Sequence, residues 1–168
     1  LGSSLELIHA GMDNDSGSSW AASDESQKGQ WASFTHTGVY YGVGPLITPE
    51  IHFNLVGDGH LVVRNMNYGV TGSAATPIAT TLSPLNSGID GWRVTGTHWA
   101  TFGDAEGLQI VADGAGDMKG NAIERDVPQV ANTSYTMTFQ ARWVNGLSRL
   151  VLVSQDRTWG RTFAVPVP

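Results

Sequence analysis

The chain contains no cysteine. That excludes a disulfide framework, a thiolate metal centre and a cysteine nucleophile, but leaves the compartment open. Positive charge is scarce: nine Lys and Arg against fifteen Asp and Glu give a formal net charge of −6 over 168 residues. Such a chain lacks the basic footprint that phosphate backbones select, so no nucleic acid partner is expected. No stretch approaches the roughly 18 consecutive apolar residues that a spanning helix needs, and no membrane insertion is expected either. Stretches with helical spacing of Leu, Glu, Ala and Lys are also few, and twenty-one glycines argue further against a helical protein. Catalytic and metal signatures are absent too. His9, His36, His52, His60 and His98 occur singly, without the spacing of a metal site, and there is no Gly-x-Ser-x-Gly elbow. The glycine-rich run from Gly114 to Gly120 lacks the Gly-Lys-Ser/Thr ending of a phosphate loop.

What is present is a succession of short period-two segments. In the clearest, Tyr135, Met137, Phe139, Ala141 and Trp143 share one face while Thr136, Thr138, Gln140 and Arg142 share the other. Asn145-Gly146 then predicts a hairpin turn into a strand from Leu147 to Val153. Ile51 to Leu55, Gly57-Asp58-Gly59 and His60 to Tyr68 predict a second hairpin. Between Trp31 and Tyr41, Trp31, Ser33, Thr35 and Thr37 fall on one face, and Phe34, His36 and Gly38 on the other. That mixed polarity suits an edge or a groove. Residues 69–83, rich in Gly, Ser, Ala and Thr, predict a long crossover inside one domain. Ten to twelve short strands over this length predict an all-β, two-sheet antiparallel β-sandwich of jelly-roll type, a single domain over 1–168.

Three segments in order, Asn86-Ser-Gly-Ile-Asp-Gly-Trp92, Gly107-Leu-Gln-Ile-Val-Ala112 and Ser134-Tyr-Thr-Met-Thr-Phe-Gln-Ala-Arg142, resemble the β-jelly-roll carbohydrate-binding modules of the galactose-binding-like group. Gly59-His-Leu-Val-Val-Arg-Asn-Met66 resembles the closing strand of such modules. Because it precedes the opening-type segment, the resemblance implies a permuted strand order or a junction of two modules. Gly2 to Ile8, Asp13-Asn14 and Trp20 to Ser23 are similar to the closing segment of lamin-tail-type domains, which accompany such jelly rolls in large secreted or surface proteins of bacteria. Both chain ends read as cuts, so flanking domains of a larger polypeptide are expected. The resemblance also implies a structural calcium, yet the matching positions hold Ser87-Gly-Ile89 and Asn65 rather than carboxylates. No cofactor is therefore expected. Asp104 with Glu106, or Asp13 with Asp15, is the alternative cation site.

Sugars present C–H faces that stack on aromatic rings and hydroxyls that need planar polar partners. Of the six tryptophans, Trp92, Trp143 and Trp20 are expected in the core, whereas Trp99 and Trp159 are the candidate stacking platforms. Gln155, Asp156 and Arg157 beside Trp159 are the expected hydroxyl partners, with Tyr40 and Tyr41 as further candidates. The leading expectation is a non-catalytic module that tethers a larger secreted or cell-surface protein to a polysaccharide or oligosaccharide. The alternatives are a structural or adhesive spacer repeat, and a small polysaccharide-degrading enzyme with Tyr40 or His36 opposite Arg64.

Overall fold

A computed structural model describes residues 5–8, 11, 13, 15–22, 29–42, 49–84, 91–114, 116 and 120–168. They contain thirteen strands and two single-turn 3-10 helices, Gly17–Ser19 and Gly96–His98. Strands β1 (Leu5–Leu7) and β2 (Trp20–Ala22) pair with each other as a small separate sheet. The remainder is an all-β sandwich of two antiparallel sheets packed face to face in a single domain. One sheet has the order β13 (Gly160–Ala164), β12 (Arg149–Ser154), β4 (Glu50–Leu55), β10 (Ile123–Asp126), β7 (Arg93–Val94). The other runs β3 (Ala32–Tyr40), β11 (Thr133–Gly146), β5 (Gly59–Val70), β9 (Leu108–Ala112), β8 (Phe102–Gly103), with β6 (Thr76–Pro77) added beside β5.

The period-two pattern of β11 is obeyed: Tyr135, Met137, Phe139, Ala141 and Trp143 are all buried. Phe139 lies edge-on to Phe53 at 5.3 Å and to Phe163 at 5.1 Å, and Phe53 stacks on Trp92 at 5.4 Å. These rings come from both sheets, so they bind one layer to the other and gain the edge-to-face term beyond area burial.

Both expected hairpins are instead corners between sheets. β11 already pairs with β3 on one side and β5 on the other, so it has no free edge for the strand that follows it. β12 pairs with β4 in the opposite sheet. Gly146, at φ 64°, pairs with Gly59 and ends β11 rather than turning it back, and Leu147 N–H donates to the Asp58 carbonyl at 2.8 Å. The same holds for β4 and β5, which lie in different sheets. Residues 69–83 are not all crossover: β5 runs on to Val70, turns, and β6 comes back along it with Asn67 opposite Pro77. Only after Ile78 does the chain leave for the other sheet, where Leu82 bridges Trp92.

Candidate functional site

The outer face of the six-stranded sheet is a layer of hydrogen-bonding side chains. On β11 the face opposite the core presents Thr136, Thr138, Gln140 and Arg142, and on β3 it presents Ser33, Thr35 and Thr37. Thr37 and Thr136 are joined hydroxyl to hydroxyl at 2.8 Å. A β-bulge in β5 shapes the centre. Thr138 faces Asn67, but Gln140 faces Arg64, so β5 holds one residue more than β11 across this interval. Asn65 takes the left-handed backbone at φ 51°. The bulge breaks the in-out alternation, and Arg64 and Asn65 both reach Gln140 on the outer face. Gln140 Oε1 accepts from Arg64 Nε at 3.1 Å and from Asn65 Nδ2 at 2.8 Å.

The Arg64 guanidinium lies over the Trp31 ring, 3.7 Å from its centroid, and that of Arg142 lies 5.5 Å from the same ring. Arg142 is nearly buried and donates to Glu106 Oε2 at 2.6 Å. Glu106 belongs to the tight turn between β8 and β9, built on the Asp104 side chain. Asp104 Oδ1 accepts from the amides of Glu106 and Gly107, at 2.9 and 3.1 Å. Gln109 Nε2 donates to both of its oxygens, at 3.0 and 3.1 Å. The Gln109 amide and then those backbone bonds hold the Asp104 carboxyl below the usual carboxylate range. Gln109 Oε1 in turn accepts from His60 Nε2 at 2.8 Å. Burial lowers the His60 pKa more than this bond restores it, which favours the neutral ring. Gly107, at φ 149°, has no room for a side chain: a Cβ would stand 2.5 Å from the Val63 carbonyl oxygen. This close approach draws the turn against β5 and closes a groove of about 690 Å³ between Arg64–Asn67, Pro77–Thr80 and Asp104–Gly107.

A second concentration of charge lies on the outer face of the five-stranded sheet. Arg93 of β7 donates to Glu50 Oε2 of β4 and to Glu124 Oε2 of β10, each at 2.6 Å, and its other terminal nitrogen is 3.4 Å from Asp126. His52 Nε2 is 2.9 Å from the same Glu50 oxygen. Glu50, His52 and Glu124 bring possible ligand atoms within 4.8 Å of one another. A metal ion there would have to displace a guanidinium already bonded to both carboxylates. The arrangement is therefore read as an ion network that pins three adjacent strands.

No protein-family model, curated protein or solved structure matches this chain.

Of the candidate residues, the structure keeps Trp99 outside and takes Trp159 inside. Trp99 is 67 % exposed, just after the 3-10 turn, with its indole N–H donating to Asp113 Oδ2. Trp159 is buried: its indole N–H donates to the Tyr135 carbonyl at 3.2 Å and its ring meets Tyr68 edge-on and lies against His36. The period-two run that turns Phe163 and Val165 inward extends back through Trp159, and the space beside its ring exists because residue 38 is glycine. Tyr40 is also buried, in phase with Phe34 and His36 on the inner face of β3, whereas Tyr41 is exposed. Tyr40 and His36 are thus separated by the sheet from Arg64, which removes the arrangement expected of an enzyme. Trp20, expected in the core, is partly exposed.

Gln155 and Arg157 are exposed, but Asp156 organises the loop. Its carboxylate accepts from Ser154 Oγ, from Thr158 N and Oγ1, and from the Gly42 amide at 3.0 Å. This loop follows Ser154, opposite Ile51, whereas Trp99 bonds Asp113 beyond Ala112, near the Leu55 end of β4. Trp99 and residues 155–157 therefore stand at opposite ends of the strands and do not form one site. As an alternative cation site, Asp104 and Glu106 have their oxygens turned to protein donors, and Asp13 is bonded to the Asp15 amide. Ser87–Ile89, and the Asn86–Asp90 part of the opening motif, lie outside the described residues.

Of the residues that line the groove, Asn65 and Asn67 were not singled out as a site by sequence, nor were Gln140, Arg142 and Trp31 beside it, and Arg64 was named only as the partner of Tyr40 or His36 in the enzyme alternative. A signal existed in the hydrophobic parity of β5, which switches from odd at Leu61 and Val63 to even at Met66 and Tyr68. Such a switch marks a bulge.

Proposed function

We propose that this chain is a non-catalytic carbohydrate-binding module of jelly-roll type, which attaches a larger secreted or cell-surface protein to a polysaccharide. The observation that carries the reading is the outer face of the six-stranded sheet, where one amide oxygen of Gln140 holds Arg64 and Asn65 side by side over a groove of about 690 Å³. Planar amides and guanidinium groups in a fixed layer match the paired hydroxyls of a sugar ring, and their mutual bonds lower the ordering cost on binding. Asn67 lies along the same wall and bonds the Asn65 carbonyl at 3.1 Å. The Trp31 face is engaged by Arg64, so Trp31 positions that guanidinium rather than serving as a bare platform. The exposed ring of Trp99 offers a second, stacking contact at the far end of the sandwich.

Affinity gel electrophoresis against plant and algal polysaccharides tests this. Retardation by at least one glycan is expected, abolished in N67A/Q140A and only weakened in W99A. If no glycan retards the wild-type chain, the spacer reading replaces this one.

A further inference from the structure

Resting on the glycan-groove reading above, we propose that the groove selects anionic sugars, and that Arg64 is the residue that receives their carboxylate or sulfate. Three features lead there. First, Arg64 is the groove cation without a carboxylate partner among the described residues. Arg142 is bonded to Glu106, whereas Arg64 bonds only the neutral amide of Gln140 through Nε. Its two terminal nitrogens are left for a ligand, the fork that accepts a carboxylate or sulfate by two parallel bonds.

Second, the guanidinium is already oriented. The Trp31 ring at 3.7 Å fixes its plane and the Gln140 bond fixes its rotation about that plane. Few rotamers are lost on binding, and a partly desolvated cation attracts an anion more strongly than one in bulk water.

Third, the acidic residues of the opposite wall already have protein partners. The charge of Glu106 is paired with Arg142, and Asp104, though it stays an anion, has both oxygens occupied by neutral donors, Gln109 and two backbone amides. The chain as a whole carries −6, so its overall field opposes a polyanion. Binding of an acidic glycan would therefore report a local contact rather than general attraction.

The test uses affinity electrophoresis of the full chain in gels of matched pairs: polygalacturonate against its methyl ester, and a sulfated galactan against the corresponding neutral galactan. The expected result is a preference for the charged member of at least one pair by about tenfold or more, as a charge-assisted bond supplies. R64Q should lose that preference and R64K should retain part of it, with the melting temperature of both variants unchanged. Preference in the first pair alone identifies a carboxylate, and in the second a sulfate. Equal retardation by charged and neutral members, or an R64Q variant that keeps the charged preference, overturns the assignment of Arg64 while leaving glycan binding in place. Absence of retardation by every gel overturns both.

Discussion

Replacing Arg93 by Met removes the guanidinium that ties β4, β10 and β7 together while keeping a stem of similar shape. The two carboxylates it leaves are buried, with side-chain exposure of 3 % for Glu50 and 10 % for Glu124. Removing one partner of a buried ion pair costs about 3–5 kcal/mol, because the other charge stays desolvated. Arg93 is itself one-fifth exposed and His52 keeps its bond to Glu50, so the lower end, about 3 kcal/mol, is expected. For a domain of this size that is a fall in Tm of about 6–12 °C. The pH dependence gives the sharper check. Burial pushes the Glu50 carboxyl up, but the bonds from His52 and Arg93 together outweigh it and hold the group below the usual carboxylate range. The network's stabilisation is thus present above the carboxylate pKa of the unfolded chain, about 4.5, and disappears as pH falls through the lower folded value. In R93M burial is no longer outweighed to the same extent, and Glu50 takes up its proton at higher pH. Urea unfolding followed by tryptophan fluorescence should therefore show the widest gap between wild type and R93M near neutral pH, closing toward about pH 4. Coincident midpoints at neutral pH, or a gap that does not change with pH, would refute the reasoning.

The imidazole of His98 is fully buried and its Nε2 accepts the Leu55 N–H at 2.9 Å, and burial brings its pKa down to about 4. The unfolded chain binds this proton from about pH 6.5 downward and the folded chain does not, so stability should fall by up to about 3 kcal/mol between those two values. A His98 NMR resonance that titrates near its ordinary value would contradict this. Acrylamide should quench Trp99, with Trp20 contributing less, while Trp92 and Trp159 stay protected. W99F should therefore remove most of the quenchable emission, and an unchanged quenching curve in that variant would show that the ring is not the accessible one.

Strand positions and facing were legible wherever alternation was strong. β11 was readable residue by residue because its inner side chains are aromatic or aliphatic and its outer ones polar. Trp159 was misread because its polar neighbours suggested a solvated turn, whereas its ring is in phase with Phe163 and fills the room left by Gly38. The groove was hidden for a different reason. Trp31, Gln140, Arg64 and Glu106 are far apart in the chain, and they meet only because β3, β11 and β5 lie side by side and a bulge turns two consecutive β5 side chains outward.

By itself the sequence determined that the protein is built of strands, which faces those strands bury and that acidic residues outnumber basic ones, because each of these depends on local periodicity and on composition. The pairing of the strands was decided only in the tertiary structure. Asn145-Gly146 and Gly57-Asp58-Gly59 permit a hairpin or a corner equally well, and the choice falls to the corner because the edges of β11 are already taken by β3 and β5. The same long-range pairing collects the polar faces of separate strands into one layer, and with it the groove.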